Sequence, residues 1–162
     1  MRSPLTGFFI FLFLSTTFVH GQDFKLVSAT SQRWTAGVRG GGGGVRYVIT
    51  AVAGQSSKRL KVEHLWVGDH LLPADAFLAH PSTYGSKEFV KGDTVLIRAS
   101  SYRKGELRLA ENDKNMAAEP DTTLSAPAIK FNGEGLVYFR NGKKRKYLKI
   151  EHFQDLPHLA YP

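Results

Sequence analysis

From residue 22 onward, apolar and polar positions alternate in short runs divided by Gly, Pro, Asn and Asp. No stretch keeps the 3.6-residue period of an amphipathic helix. The runs Phe24–Ala29, Val45–Val52, Arg59–Val67, Thr94–Ala99, Leu136–Arg140 and Lys143–Ile150 are predicted strands. Glu106–Ala110 is a poorer match, and Asn112–Pro127 has the composition of a loop. The clearest alternation is in Arg59–Val67, where Leu60, Val62, His64 and Trp66 share one face and Arg59, Lys61 and Glu63 the other. Asn141-Gly142 is predicted as the centre of a two-residue type I′ hairpin between the last two runs. Short strands with a turn about every 8–12 residues predict an antiparallel β-sandwich, immunoglobulin-like in the broad sense, with a small closed barrel as the alternative. A transmembrane barrel does not fit, because Lys and Arg occupy both faces of the strands.

The first 21 residues follow a different rule. Arg2 precedes the apolar core Phe8–Leu14, and Ser15–Gly21 offers a polar exit with Val19 and Gly21 before Gln22. This is the pattern of a cleaved secretory signal peptide, and seven apolar residues are too few to cross about 30 Å of hydrocarbon as a helix. The expected organisation is a signal peptide over 1–21 and one domain over 22–162. The product would be exported to the periplasm, the cell surface or the medium, with no transmembrane segment in the mature chain.

Composition sharpens this picture. The 162 residues include no Cys, which excludes disulfides, thiolate metal sites and cysteine nucleophiles. An exported domain without disulfides depends on its core alone, which fits a bacterial envelope protein better than a small stapled animal domain. The formal charge is +8, and loss of Arg2 with the leader leaves +7. That sign admits an anionic partner without naming one. The leader also carries five of the 11 Phe, so the mature chain is less aromatic than the total implies.

Candidate chemistry is sparse. Arg140, Lys143, Lys144, Arg145, Lys146 and Lys149 put six cations into ten residues at the hairpin, a candidate polyanion-binding surface. An exported protein meets little nucleic acid, so an anionic glycan or an envelope protein is the expected partner. A solvated tip whose charges block edge-to-edge pairing accounts for the same residues. Gly40–Gly44, between Arg39 and Arg46, could offer backbone N–H groups to an anion, but it lacks the Lys-Ser/Thr ending of a phosphate loop and is expected to be a flexible connection. Trp34 is the candidate for stacking on a sugar ring, whereas Trp66 is expected in the core beside Leu60 and Val62.

No enzyme is supported. Ser101-Tyr102-Arg103-Lys104 meets the Ser-x-x-Lys spacing, but it lies in a turn-rich segment without companion motifs. The acids Asp69, Asp75, Asp93, Glu106, Glu111 and Asp113 are scattered. Leu60–Leu65 and Leu148–Phe153 echo one another at five of six positions, which would align His64 with His152 if the two strands were neighbours. Glu63 and Glu151 would then point away from the imidazoles, and His70, His80 and His158 show no ligand spacing, so no metal and no cofactor are expected.

The order Ala29-Thr30-Ser31-Gln32-Arg33-Trp34, the glycine run, Tyr47, Leu65-Trp66-Val67-Gly68, Lys91-Gly92-Asp93-Thr94 and the ending Leu156–Pro162 resembles uncharacterised small exported proteins of Bacteroidota. The resemblance implies an exported β domain and transfers no activity and no site residue. The expected function is non-enzymatic binding, with a carbohydrate- or polyanion-binding module of the cell envelope as the alternative.

Overall fold

The structure is a computed structural model that describes residues 22–38, 41–79, 85–103 and 129–162. The leader, Glu106–Ala110 and Asn112–Pro127 lie outside the described residues. Eight strands follow in chain order: β1 (Phe24–Thr35), β2 (Gly43–Ala53), β3 (Leu60–Val67), β4 (His70–Leu78), β5 (Thr94–Arg103), β6 (Gly135–Asn141), β7 (Lys144–Ile150) and β8 (Gln154–Ala160). Among the described residues there is no helix, so none is long and apolar enough to cross a membrane.

The all-β reading holds, but the strands are not divided between two hydrogen-bonded sheets. All eight form one strongly curled sheet in the order β7-β6-β3-β4-β5-β2-β1-β8. The sheet turns back on itself through β4. His70–Pro73 pairs with β3, and Ala74–Leu78 pairs with β5. Proline has no N–H to give to a ladder, and Pro73 stands where the strand changes partner. One wing is therefore β7-β6-β3 and the other β5-β2-β1-β8, with β4 common to both. Every pairing is antiparallel except β1 with β8, which run parallel and make the sheet mixed.

The two edge strands are consecutive in the chain. Only Glu151-His152-Phe153 separates β7 from β8, a link that spans at most about 14 Å. The edges must therefore approach each other, and the inner faces of both wings share one core. Ile49, Ala51, Val95, Ile97 and Ala99 from one wing meet Leu65, Val137, Phe139 and Ile150 from the other, all buried. Alanines 51, 74, 76 and 99 along β2, β4 and β5 leave room for larger groups such as Phe139 and Phe153.

At the end carrying the β6–β7 tip, the start of β1 closes the curl. The Asp23 carboxylate accepts from Asn141 Nδ2 at 2.6 Å and from Lys146 Nζ at 2.5 Å, while the Phe24 and Phe139 rings meet edge to face at 5.0 Å. These contacts correct the hairpin prediction by one residue. Asn141 pairs with Lys144, so the two loop residues are Gly142, at φ +60°, and Lys143. Asn141 is turned inward by Asp23, and only glycine takes that left-handed φ without strain.

The alternation expected for Arg59–Val67 is broken. A bulge at Glu63 separates the pairs Val62–Phe139 and His64–Tyr138. One extra residue reverses every side chain beyond it. Leu60 and Val62 stay in the main core, Leu65 and Val67 join them, and Trp66 moves to the opposite face. Trp66 is still buried, but in a second cluster with Leu136 and Tyr138 rather than beside Leu60. The sequence pattern had not revealed β4, which contains Pro73, or β8, which contains Pro157 and lacks alternation.

Asp23→Ala removes two charge-assisted hydrogen bonds at the end of the curl. It is expected to lower unfolding free energy by about 1–3 kcal/mol in urea titrations. An Ile97→Ala chain, losing a fully buried side chain, is expected to lose about 2–5 kcal/mol in the same titration.

Candidate functional site

Trp34 is held on the outer face near the end of β1, where the pairing sets it opposite Gly44 of β2, and Gly44 is in turn opposite Tyr102 of β5. The glycine run is therefore not wholly a connection, because Gly43 and Gly44 are strand residues of β2. The reason is spatial. A Cβ on Gly44 would stand 2.0 Å from the Ser101 carbonyl oxygen and 3.2 Å from Trp34 Nε1, so only glycine lets the neighbouring strand and the indole approach this closely.

Two further rings flank the indole. Tyr102 is 6.0 Å away between centroids with planes 24° apart, and Tyr161 is 6.0 Å away at 74°. Polar groups fix the surround. Arg46 Nη2 donates to the Tyr161 hydroxyl at 2.9 Å, the Tyr102 hydroxyl donates to the Gly41 carbonyl at 3.3 Å, and Tyr161 N–H donates to the Thr35 carbonyl at 3.0 Å. Gln32 Nε2 reaches the Pro157 carbonyl at 3.0 Å, and Thr35 Oγ1 lies 3.1 Å from His158 Nε2. Tyr102 remains 62% exposed, so the cluster is accessible. Rings from residues 34, 102 and 161 thus share one surface. Sequence reasoning selected Trp34 but missed both tyrosines, because only the β1–β2–β5 register and the β8 pairing bring them together.

Arg140, Lys143, Lys144, Arg145 and Lys146 lie at the opposite end of the sheet from this aromatic surface, Lys149 stands opposite Leu136 at the far end of the hairpin, and acids divide the six. Arg140 Nε is 2.5 Å from Glu63, Lys146 is paired with Asp23, and Lys149 Nζ is 3.3 Å from Glu151. Lys143, Lys144 and Arg145 have no ion pair among the described residues. Half of the sequence cluster thus has an acidic partner within the chain.

The echoed segments are not neighbours. β3 pairs with β6, and His152 sits in the β7–β8 link. His64 is opposite Pro73, His70 is beside Asp69 at 3.1 Å, and His158 is beside Thr35. His80 lies outside the described residues. No group of three metal-ligating side chains forms among the described residues. Ser101 is in β5, where its Oγ accepts from Val45 N–H at 3.2 Å, and that extended backbone lacks the helical turn that Ser-x-x-Lys chemistry requires.

The β7–β8 link has its own anchor. Glu134 accepts from the Phe153 backbone N–H and from His152 Nδ1, each at 2.7 Å. The Phe153 N–H, and then the imidazole, hold the Glu134 carboxyl below its ordinary pKa. A carboxyl lowered on folding stabilises the fold above the ordinary carboxylate range, and that contribution disappears as pH falls through the lowered value. The urea midpoint is therefore expected to drop as pH falls from the ordinary carboxylate range through the lowered value, and Glu134→Gln is expected to flatten that drop. No family model, curated protein or solved structure significantly matches the chain, so the functional reading rests on the geometry of the chain itself.

Proposed function

We propose that this chain is an exported, non-enzymatic β domain that binds carbohydrate through Trp34, Tyr102 and Tyr161. The observation that carries the reading is the exposed three-ring cluster of Trp34 from β1, Tyr102 from β5 and Tyr161 just after β8. The face of an aromatic ring is electron-rich, and the C–H groups of a pyranose present a complementary, weakly positive face. The indole N–H of Trp34 has no hydrogen-bond partner among the described residues, so it can donate to a sugar hydroxyl. Gln32 and His158 stand nearby as further polar groups. Export is supported by the charged, apolar and polar order of residues 1–21. Two-sheet, immunoglobulin-like packing remains a finer description of the curled sheet that its two wings and common core would support.

The test is retention of purified protein on immobilised dextran, xylan, alginate and heparin at physiological salt. At least one neutral or uronic polysaccharide is expected to retain it, with Trp34→Ala and Tyr102→Ala each weakening retention about tenfold, as loss of an aromatic anchor does. Retention only on heparin, abolished by converting Lys143, Lys144 and Arg145 to Ser and indifferent to Trp34→Ala, would transfer the function to the hairpin. Absence of retention on every matrix overturns the carbohydrate reading. Intact mass of protein secreted from an expressing cell is expected to begin at Gln22.

A further inference from the structure

At the end opposite the basic hairpin tip, the curl leaves a cavity of about 540 Å³. The β3–β4 turn, the approach to β6 and the β7–β8 link surround it. Its walls are aromatic, from Tyr47, Trp66, Phe131 and Phe153, and two carboxylates, Glu134 and Asp155, look into it. Open ends of curled and closed sheets are common places for small ligands. The register explains how these groups meet. Asp155 of β8, Ser31 of β1 and Tyr47 of β2 lie in one row across the inner face, and Phe153 packs on Tyr47 at 5.2 Å between centroids.

The polar inventory defines what fits. Ser31 donates its hydroxyl to Asp155 Oδ1, leaving Oδ2 without a hydrogen bond among the described residues. Both oxygens of Glu134 are occupied by the link, one of them by the His152 imidazole that also lines the cavity, so Glu134 offers neither a spare acceptor nor an unshared charge. The Tyr47 hydroxyl has no hydrogen-bond partner among the described residues. Burial raises its pKa, with Arg33 pulling it down and Asp155 pushing it up, so at neutral pH it is a phenol able to donate or accept. Arg33 acts on Tyr47 from one row farther along β1 but does not line the cavity, and neither does any Lys or other Arg among the described residues.

Exposed carboxylates at the rim of an aromatic-lined cavity favour a positive guest over a neutral or negative one. Aromatic rings attract a cation, and Asp155, whose Oδ2 is unengaged among the described residues, adds direct Coulomb attraction. We infer that this cavity is a binding site for a small organic ammonium ligand, whose charged head meets Asp155 and the Tyr47 hydroxyl and whose apolar part rests on Trp66, Phe131 and Phe153. The site is separate from the glycan surface, since Tyr47 faces the inner side of β2 and Trp34 the outer side of β1. Failure of either reading leaves the other standing.

Three probes that share one ring and differ in charge test the inference at pH 7: benzylamine, benzyl alcohol and benzoate. Trp66 lines the cavity and Trp34 does not, so a Trp34→Phe chain leaves Trp66 as the only tryptophan reporter. Ligand-observed NMR on the unaltered chain accompanies the fluorescence titration. Benzylamine is expected to give a saturable change with a millimolar or tighter Kd, with benzyl alcohol at least tenfold weaker and benzoate inert. Asp155→Asn and Tyr47→Phe are each expected to weaken benzylamine severalfold, while heparin retention does not change. Equal binding of the neutral or anionic probe, no saturable benzylamine response, or an unaltered benzylamine Kd in both variants overturns the proposal. If Asp155→Asn does not fold, Tyr47→Phe and the three-probe comparison on the unaltered chain decide it.

Discussion

The structure depends on one strand serving two wings. At Pro73, β4 stops pairing with β3 and starts pairing with β5, and the missing proline N–H falls at the point where the ladder changes partner. Without that change, eight strands in series would extend as an open twisted sheet with one apolar face in water. With it, the apolar faces of both wings turn toward each other. In a chain with no cysteine, that mutual burial acts without any covalent staple. Small residues follow from the same geometry. Ala74, Ala76 and Ala99 line the inner face at the fold, and the bulk they leave out is supplied by Leu65, Phe139 and Phe153.

A curled sheet has two edges to manage, and the ends of this one are held by different chemistry. Near the hairpin tip, Asp23 joins the start of β1 to Asn141 and Lys146 and helps seal the core. At the far end, Glu134 anchors the β7–β8 link through Phe153 N–H and His152, and a cavity remains between the edges. Acids stand at both ends, Asp23 and Glu63 against the hairpin cations and Glu134 and Asp155 around the cavity. On the outside, Trp34 of β1, Tyr102 of β5 and Tyr161 just after β8 share a face that does not line the cavity.

Much of the strand inventory was legible locally. β2, β3, β5, β6 and β7 are β-branched or alternating runs bounded by turn residues, the side-chain pattern that fits a pleated, half-buried surface. β4 and β8 were not legible, because each contains proline and takes its extended form from neighbouring strands rather than from its own pattern. Trp66 shows the same limit at one residue. Its burial was foreseeable from its size, but its face was not, since the bulge at Glu63 is a property of the β3–β6 pairing. The candidate sites divide likewise. Trp34 could be singled out as an aromatic beside a glycine run, whereas Tyr102 and Tyr161 are 68 and 127 residues from it in the chain.

The amino-acid sequence by itself determined the all-β class, the approximate strands and the hairpin between β6 and β7. Alternation, β-branching and turn glycines act over a few residues and need no distant partner. Tertiary structure alone decided that the strands form one curled sheet, that β8 runs parallel to β1, and that Glu134 meets His152 and Phe153 across the link. It also decided that half of the hairpin cations have acidic partners. These outcomes depend on which distant backbones share hydrogen bonds, and a long-range register is selected by burial of the whole inner face rather than by any segment within it.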